Sequence, residues 1–218
     1  MLASQSGHKD FMRGYSDRIN HALAFAAKHH DTQVRKGLRM PYVTHAANIA
    51  VILTHYDCDE TTVVAGVLHD VIEDCVRDGF TAADLTERIG TKFGHDVLRI
   101  VLSVTRRRID DAGVEMNKDD MKDDCLSRLA GAPDPARWVC VAHNLHNAGS
   151  ILADVQRTIE PATVWNRGGN GRDGTLHWYR TVHERLVAVG FHAPIMDELG
   201  EMVAELEAAP AGDAPAVI

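Results

Sequence analysis

Apolar residues recur at helical spacing in three stretches of the first third of the chain. The first stretch runs from about Ser16 to His30 and predicts a helix with the apolar positions Ile19, Leu23, Ala26 and Ala27. The second stretch follows Pro41, reads YVTHAANIAVIL, and places His45 in the first turn of a helix. The third stretch, VVAGVLHDVIEDC, runs from Val63 to Cys75 and is apolar almost throughout.

The third stretch carries four polar side chains in an otherwise apolar segment. His69 and Glu73 are four residues apart, and so are Asp70 and Asp74. We predict one helix through the whole segment, on which these two pairs stack on one face. The opposite face would be buried and consists of Val63, Val64, Val67, Leu68, Val71 and Ile72.

The carboxylates of this helix repel one another. Each like-charged pair four residues apart costs about 0.2–0.5 kcal/mol on an exposed helix, and desolvation inside a protein would cost far more. A bound divalent cation would relieve the repulsion, and the adjacent His69 and Asp70 offer it nitrogen and oxygen ligands. The alternative is an acidic patch that faces solvent, which the flanking apolar residues disfavour.

The rest of the chain predicts further helices and no strand. Residues 81–99 read as two short helices broken at Phe93-Gly94, with Gly90 as C-terminal cap of the first. Additional helices are predicted at residues 119–130, 136–154 and 195–208, and a loop at residues 105–118. The loop carries Arg106, Arg107 and Arg108, which either line a cleft or face water.

A glycine-rich connection, WNRGGNGRDGT, follows Pro161 and is predicted to be irregular. It lacks the spacing of a phosphate-binding P-loop, and Asp173 or Thr175 would cap the helix after it. The fold class is therefore all-α, a helical bundle in a single domain. We expect a flexible N-terminus at residues 1–15, the domain at residues 16–208 and a disordered tail at residues 209–218.

Two further groups of polar residues are ambiguous from local sequence alone. The segment before Pro41 is a predicted loop that carries three cations, Arg35, Lys36 and Arg39. These side chains either bind an anion or form a solvated, charged turn. Local sequence alone favours the solvated turn. A polar stripe on the predicted helix at 136–154 is either a solvent face or the wall of an internal site: His143, His146, Asn147 and Ser150.

Composition narrows the classes of function. The 218 residues are 45% hydrophobic and 25% charged, which is typical of a globular domain, and the net charge of −8 disfavours generic nucleic-acid binding. No stretch is long and apolar enough for a membrane span, and four scattered cysteines indicate reduced thiols, so a soluble cytoplasmic protein is expected. Composition leaves a phosphorylated small-molecule substrate and a homo-oligomer open.

Several motifs, taken together and in order, resemble a known family. R-K-G…P-Y-x-x-H is followed by V-L-H-D-V-I-E-D, then by L-H-N and I-L-A-D, and finally by W-N-R…G-T-x-x-W-Y-R. This combination resembles the alarmone hydrolases of the HD superfamily, and is most similar to their small stand-alone members. The resemblance covers roughly residues 18–200.

The resemblance implies a helical HD fold that holds one Mn²⁺ and removes pyrophosphate from the 3′ position of (p)ppGpp-type nucleotides. Position by position, it implies the metal ligands His45, His69 and Asp70, and a water-activating couple, Glu73 and Asp74. The residues it implies at the nucleotide are Arg35, Lys36, Asn147 and, less directly, Lys122, Tyr179 and Arg180.

One departure from the family pattern concerns the fourth metal ligand. His143 stands where the family carries an aspartate, and Cys140 and Asn144 replace a lysine and a basic residue. A set of three imidazoles and one carboxylate suits Zn²⁺, Fe²⁺, Co²⁺ or Ni²⁺ better than a carboxylate-rich set does. The segment around Met121-Lys122 and Cys125 also differs from the usual Arg-Lys and tyrosine, so the nucleotide pocket is expected to differ in detail.

The departure leaves three hypotheses open. The first is retained 3′-pyrophosphohydrolase activity, with an altered metal or a lowered rate. The second is another nucleotide phosphohydrolase on the same fold, such as an adenosine-type alarmone hydrolase or an NADPH 2′-phosphatase. The third is a nucleotide-binding or regulatory module that keeps the fold without hydrolysis.

Overall fold

The computed structural model describes residues 14–37, 39–77 and 79–212. Over these residues the protein is all-α and contains no strand, as predicted, with three isolated β-bridges in its loops. The helices are α1 (Asp17–His29), α2 (Val43–His55), α3 (Glu60–Leu68), α4 (Val71–Asp74), α5 (Ala82–Phe93), α6 (His95–Val104), α7 (Lys118–Ala130), α8 (Asp134–Arg157), α9 (Pro161–Trp165), α10 (Gly171–Ala188) and α11 (Pro194–Ala208).

Helix α3 is the centre of the bundle. Every residue from Thr62 to Leu68 is buried, and α1, α2, α6 and α8 pack around it. Its start is fixed by Asp59, whose side chain accepts a hydrogen bond from the Thr62 backbone N–H. An apolar helix enclosed on all sides places whatever follows its C-terminus inside the protein.

The predicted single helix at residues 63–75 is wrong, because it is interrupted. Helix α3 ends at Leu68, His69 and Asp70 form a turn, and the short helix α4 begins at Val71. The interruption is slight, since Asp70 keeps φ −93° and ψ −6° and its carbonyl accepts from the Asp74 N–H at 2.8 Å. The apolar pattern continues through the turn, which is why periodicity alone does not reveal it.

Two glycine assignments are also corrected. Gly90 lies inside α5, and the residue that ends this helix is Gly94, whose φ of +94° favours glycine. The glycine-rich connection is more regular than predicted, since a 3₁₀ turn at Asn166–Gly168 precedes α10, which starts at Gly171 rather than after Asp173 or Thr175.

The expected terminal segments lie largely outside the described residues, which exclude residues 1–13 and 213–218. Packing continues beyond Ala208, because Ala209 is buried and the Pro210 carbonyl accepts a hydrogen bond from Trp165 Nε1 at 2.9 Å. Within the described part of the chain, no helix has the length and hydropathy required to cross a membrane.

Gly66 permits the close packing of α2 on α3. A Cβ atom at this position would overlap Leu53 Cδ1 and lie 3.0 Å from Ile49 Cγ2, and both of these side chains are fully buried. The Ile49 and Leu53 side chains of α2 therefore pack directly on the backbone of α3, because Gly66 has no side chain.

We predict that Gly66→Ala lowers the free energy of unfolding by about 1–3 kcal/mol, because overpacking exceeds the gain in helix propensity. The matched control is Gly149→Ala in α8, where the new Cβ would meet Met202 Cε at an ordinary 3.6 Å. This control should be neutral or stabilising by up to about 1 kcal/mol. Equal effects in denaturant unfolding would contradict the packing argument.

Candidate active site

Four side chains from three parts of the fold converge on one point. His45 comes from α2, His69 and Asp70 from the turn after α3, and His143 from α8. One potential ligand atom from each residue lies within 4.8 Å of the others. Asp70 Oδ2 is 3.4 Å from His45 Nε2 and 3.0 Å from His69 Nε2, and His69 Nε2 is 2.7 Å from His143 Nδ1.

The protonation states of this cluster favour cation binding. Burial lowers the pKa of His45 to about 4 and holds the pKa of His143 well below its ordinary value, so both rings are neutral at pH 7. Burial alone would raise the pKa of Asp70, but the His69 and His45 imidazoles outweigh it and lower that pKa well below its usual range. Burial would lower the pKa of His69, but the charge of Asp70 outweighs it and raises that pKa. The buried carboxylate thus faces two neutral imidazoles, His45 and His143, and stabilises the charged form of the third, His69.

The residues fit a divalent cation. His45 Nε2 is buried and has no hydrogen-bond partner, which leaves a polar atom of the interior unsatisfied. A cation held by His45, His69, Asp70 and His143 would satisfy it. Three nitrogens and one oxygen form a donor set that Zn²⁺ and other divalent transition metals accept.

The second nitrogen of the His45 ring, Nδ1, has a hydrogen-bond partner that positions the ring. Its Nδ1 lies 2.8 Å from His146 Nδ1, and His146 belongs to the polar stripe of α8. That stripe is an internal wall rather than a solvent face, because its other members, His143, Asn147 and Ser150, line the cleft described below.

Two acidic residues adjoin the cluster, and each has a defined partner. Glu73 forms an ion pair with the Arg106 guanidinium and accepts from the Arg106 backbone N–H at 3.0 Å. The Tyr42 hydroxyl bridges two carboxylates, at 2.6 Å from Asp70 Oδ2 and 3.0 Å from Asp74 Oδ2. Burial, with the charges of Asp70 and Glu73, raises the pKa of Asp74 to about 6.

A cleft of about 590 Å³ opens over the cluster. Its cationic lining residues are Arg35, Lys36, Arg106, Lys122 and Arg167. Aromatic residues line it as well: the Trp178 ring lies beneath Lys122 Nζ, 5.4 Å from its centroid, and Tyr179 is buried in the wall. The cleft therefore offers positive charge and stacking surfaces beside a potential metal centre.

The structure brings eleven of the twelve candidate residues to this region, ten along the cleft and His45 directly beneath it. The exception is Arg180, which does not line the cleft and pairs with Glu207 of α11 at 2.5 Å. Of the three loop arginines, Arg106 reaches the cleft, whereas Arg107 pairs with Asp111 and Asp124.

Sequence reasoning gave no role to Tyr42 and Trp178. Tyr42 precedes His45 by three residues and could have been found from that spacing, because residues i and i+3 share a helix face. Trp178 donates from Nε1 to Asn144 Oδ1 at 2.9 Å, and this contact between α10 and α8 has no local sequence pattern.

Comparison with known proteins identifies the family. The HD domain family matches residues 22–160 of this chain. The chain belongs to the HD domain family. This HD-domain protein is 32% identical over 174 residues to the guanosine-3′,5′-bis(diphosphate) 3′-pyrophosphohydrolase MESH1 of Drosophila melanogaster, a match that covers 78% of this chain and 86% of that one.

Other relatives of this HD-domain protein are much longer. A GTP pyrophosphokinase of Myxococcus xanthus is 39% identical over 79 residues, which are 36% of this chain but only 10% of that protein. A solved structure described as a metazoan ortholog of SpoT that hydrolyzes ppGpp superposes with a TM-score of 0.66 at 27% identity, covering 89% of this chain and 98% of that chain. The expected HD fold is thereby confirmed.

The buried histidines predict how stability depends on pH. A histidine whose pKa falls from 6.5 to about 4 on folding, as for His45, takes up its proton more readily in the unfolded chain. Stability of the protein freed of divalent cations should therefore fall as the pH drops from 6.5 to 4, by about 3 kcal/mol from His45 alone. Denaturant unfolding at several pH values measures this.

His45→Gln should flatten that pH dependence. The matched control is His55→Gln, since His55 is exposed at the end of the same helix. A slope that is the same in wild type and His45→Gln would contradict the assignment of a neutral, buried His45.

Proposed function

We propose that this protein is a metal-dependent hydrolase that removes pyrophosphate from the 3′ position of guanosine 3′,5′-bis(diphosphate) and related nucleotides. The observation that carries the proposal is the convergence of His45, His69, Asp70 and His143 beside Glu73 and Asp74 in a cationic cleft. The extent of the similarity to the Drosophila protein, which is described as the hydrolase of this reaction, supports the proposal.

The proposed metal ligands are His45, His69, Asp70 and His143, and Mn²⁺ is the cation implied by the family resemblance. When bound, such a cation supplies Lewis acidity, which lowers the pKa of water and withdraws charge from phosphoryl oxygens. The three imidazoles also admit Zn²⁺, Fe²⁺, Co²⁺ or Ni²⁺. Tyr42 orients the Asp70 carboxylate through its 2.6 Å hydrogen bond.

The two acidic residues, Asp74 and Glu73, act differently on the attacking water. Asp74, with its pKa raised to about 6, is the better proton acceptor near neutral pH. Glu73 is held by Arg106, so its carboxylate is fixed in place to accept a hydrogen bond from the water and align it. Both residues lie within one helical turn of Asp70.

The cations of the cleft bind the substrate phosphates. Arg35 and Lys36 project from the loop before α2, and Lys122 projects from α7 across the cleft. Guanidinium and ammonium groups stabilise charge that develops on phosphoryl oxygens as the bond to the 3′ oxygen breaks. Asn147 and Tyr179 line the same wall and provide polar contacts to the nucleotide.

A substrate panel tests the reaction class. With Mn²⁺, we expect pyrophosphate release from guanosine 3′,5′-bis(diphosphate), and elemental analysis of the purified protein should give about one transition-metal ion per chain. Preferred release from the adenosine analogue, or phosphate release from NADPH, would redirect the proposal to those substrates. Binding without turnover, converted to turnover by His143→Asp, would favour the regulatory module.

Substitution of the acidic couple tests the mechanism. Glu73→Gln and Asp74→Asn should each lower kcat by about 10²–10⁴-fold with metal content unchanged, because both lose acid–base or water-orienting capacity and neither is a proposed ligand. The matched control is Asp31→Asn, since Asp31 pairs with Arg77 away from the cleft. Wild-type kcat in both active-site variants would remove their assigned roles.

A further inference from the structure

Gln33, in the segment between α1 and α2, contacts the end of α4, although it is not among the candidate site residues. Its side-chain Nε2 donates to the Asp74 backbone carbonyl at 2.6 Å, and its Oε1 lies 2.6 Å from Nδ1 of the buried His30. A backbone carbonyl only accepts, so the amide is oriented with its NH₂ group toward Asp74. Both ends of the Gln33 amide are therefore engaged.

Helix α4 has only one turn and depends on contacts from outside. It spans Val71–Asp74, and so short a helix is not stable by itself in water. The carbonyls of a last helical turn have no partner within the helix, and the Gln33 NH₂ group supplies one for Asp74. The next residue, Cys75, also contacts this segment, since its Sγ lies 3.3 Å from His30 Nδ1. The end of α4 thus rests on the residues around Gln33.

Gln33 also begins the hairpin that carries two of the cleft cations. Its backbone carbonyl accepts from the Tyr42 N–H at 3.0 Å, and the Arg35 N–H donates to the Met40 carbonyl at 2.8 Å. The two hydrogen-bonded segments are antiparallel. Arg35 and Lys36 lie on the first of them and line the cleft. The base of this hairpin and the end of α4 are therefore joined through one residue, Gln33.

A second contact between the hairpin and Asp74 is made at the carboxylate. Tyr42 ends the hairpin, and its hydroxyl oxygen lies 3.0 Å from Asp74 Oδ2. The Tyr42 ring is stacked on the His30 ring, with a distance of 4.5 Å between the centroids. Asp74 is thus contacted at its backbone by Gln33 and at its side chain by Tyr42. The position of the Asp74 carboxylate therefore depends on the hairpin at two points.

We propose that Gln33 is a positioning residue that joins the proton acceptor Asp74 to the phosphate-binding hairpin of Arg35 and Lys36. An anion that engages the two cations restrains the hairpin, and the hydrogen bond between Gln33 and Asp74 transmits this restraint to the end of α4. Asp74 is then held in place while the substrate phosphates are bound. This inference rests on the roles of Asp74, Arg35 and Lys36 in the proposed function and adds a residue that acts through them.

A purely structural role for Gln33 makes a different prediction. In that case its loss would affect the whole protein, whether or not Asp74 is present. Gln33 is only half-buried, however, and its hairpin neighbours Val34 and Met40 are each 45% exposed. Removing one amide at this position leaves the apolar core intact, so its effect on the reaction can be measured on folded protein.

A double-mutant cycle tests whether Gln33 acts through Asp74. Gln33→Met keeps the length of the side chain and removes the donor, and we expect it to lower kcat about 10–100-fold, since small displacements of a reacting group are costly. In the Asp74→Asn background the same substitution should lower kcat less than about twofold. The matched control is Gln156→Met, at an exposed glutamine of α8, which should leave kcat unchanged. Equal losses in the two backgrounds overturn the proposal.

Hydrogen exchange measured by mass spectrometry tests the coupling without turnover. In the presence of Mn²⁺, inorganic pyrophosphate should slow amide exchange in residues 71–75 of the wild type, because the hairpin transmits its restraint to α4. Gln33→Met should abolish this slowing, whereas Gln156→Met should retain it. No slowing in the wild type, or equal slowing in Gln33→Met, overturns the proposal. This readout does not depend on hydrolysis, so failure of the substrate panel is a separate result.

Discussion

The burial of the Asp70 carboxylate at the end of an apolar helix is the constraint on which the site depends. Asp70 is only 7% exposed, and a carboxylate in that position is tolerated only when it is surrounded by partners. Tyr42 and His69 provide them, and the His45 ring lies 3.4 Å from the same carboxylate. Helices α2 and α8 pack against α3 and bring the remaining imidazoles to the same place, so the packing of the core and the assembly of the site have one cause.

His143, at a position where the family resemblance implies an aspartate, sets the charge of the proposed metal centre. One carboxylate and three neutral imidazoles carry a single negative charge, so a bound divalent cation would leave the centre with a net positive charge. Such a centre attracts phosphate oxygens more strongly than one with two carboxylates. The Glu73–Arg106 pair beside it is neutral overall, which leaves Asp74 as the nearby acidic group whose pKa burial and like charges raise.

Helical periodicity in the sequence was sufficient to predict the all-α fold and most helix positions, because each core helix has a continuous apolar face. The turn at His69-Asp70 was missed, since the apolar pattern runs through it without a glycine or proline. The stripe from His143 to Ser150 could not be assigned to solvent or interior, because only its packing beside α2 and α3 distinguishes the two. Arg180 was expected beside the nucleotide, but it lies on a different face of α10 from its neighbour Tyr179. Tyr179 faces the cleft, whereas Arg180 faces α11.

The contact between Trp165 and Pro210 ties one wall of the cleft to the last residues that the structure describes. Trp165 lines the cleft, and its indole N–H is satisfied by the Pro210 carbonyl, next to a buried Ala209. Truncation after Ala208, where α11 ends, would remove the hydrogen-bond acceptor of the Trp165 indole. It would thereby destabilise the segment that carries Arg167. An affinity tag or fusion partner should accordingly be attached after residue 212, through a spacer that leaves the Pro210 carbonyl in contact with Trp165.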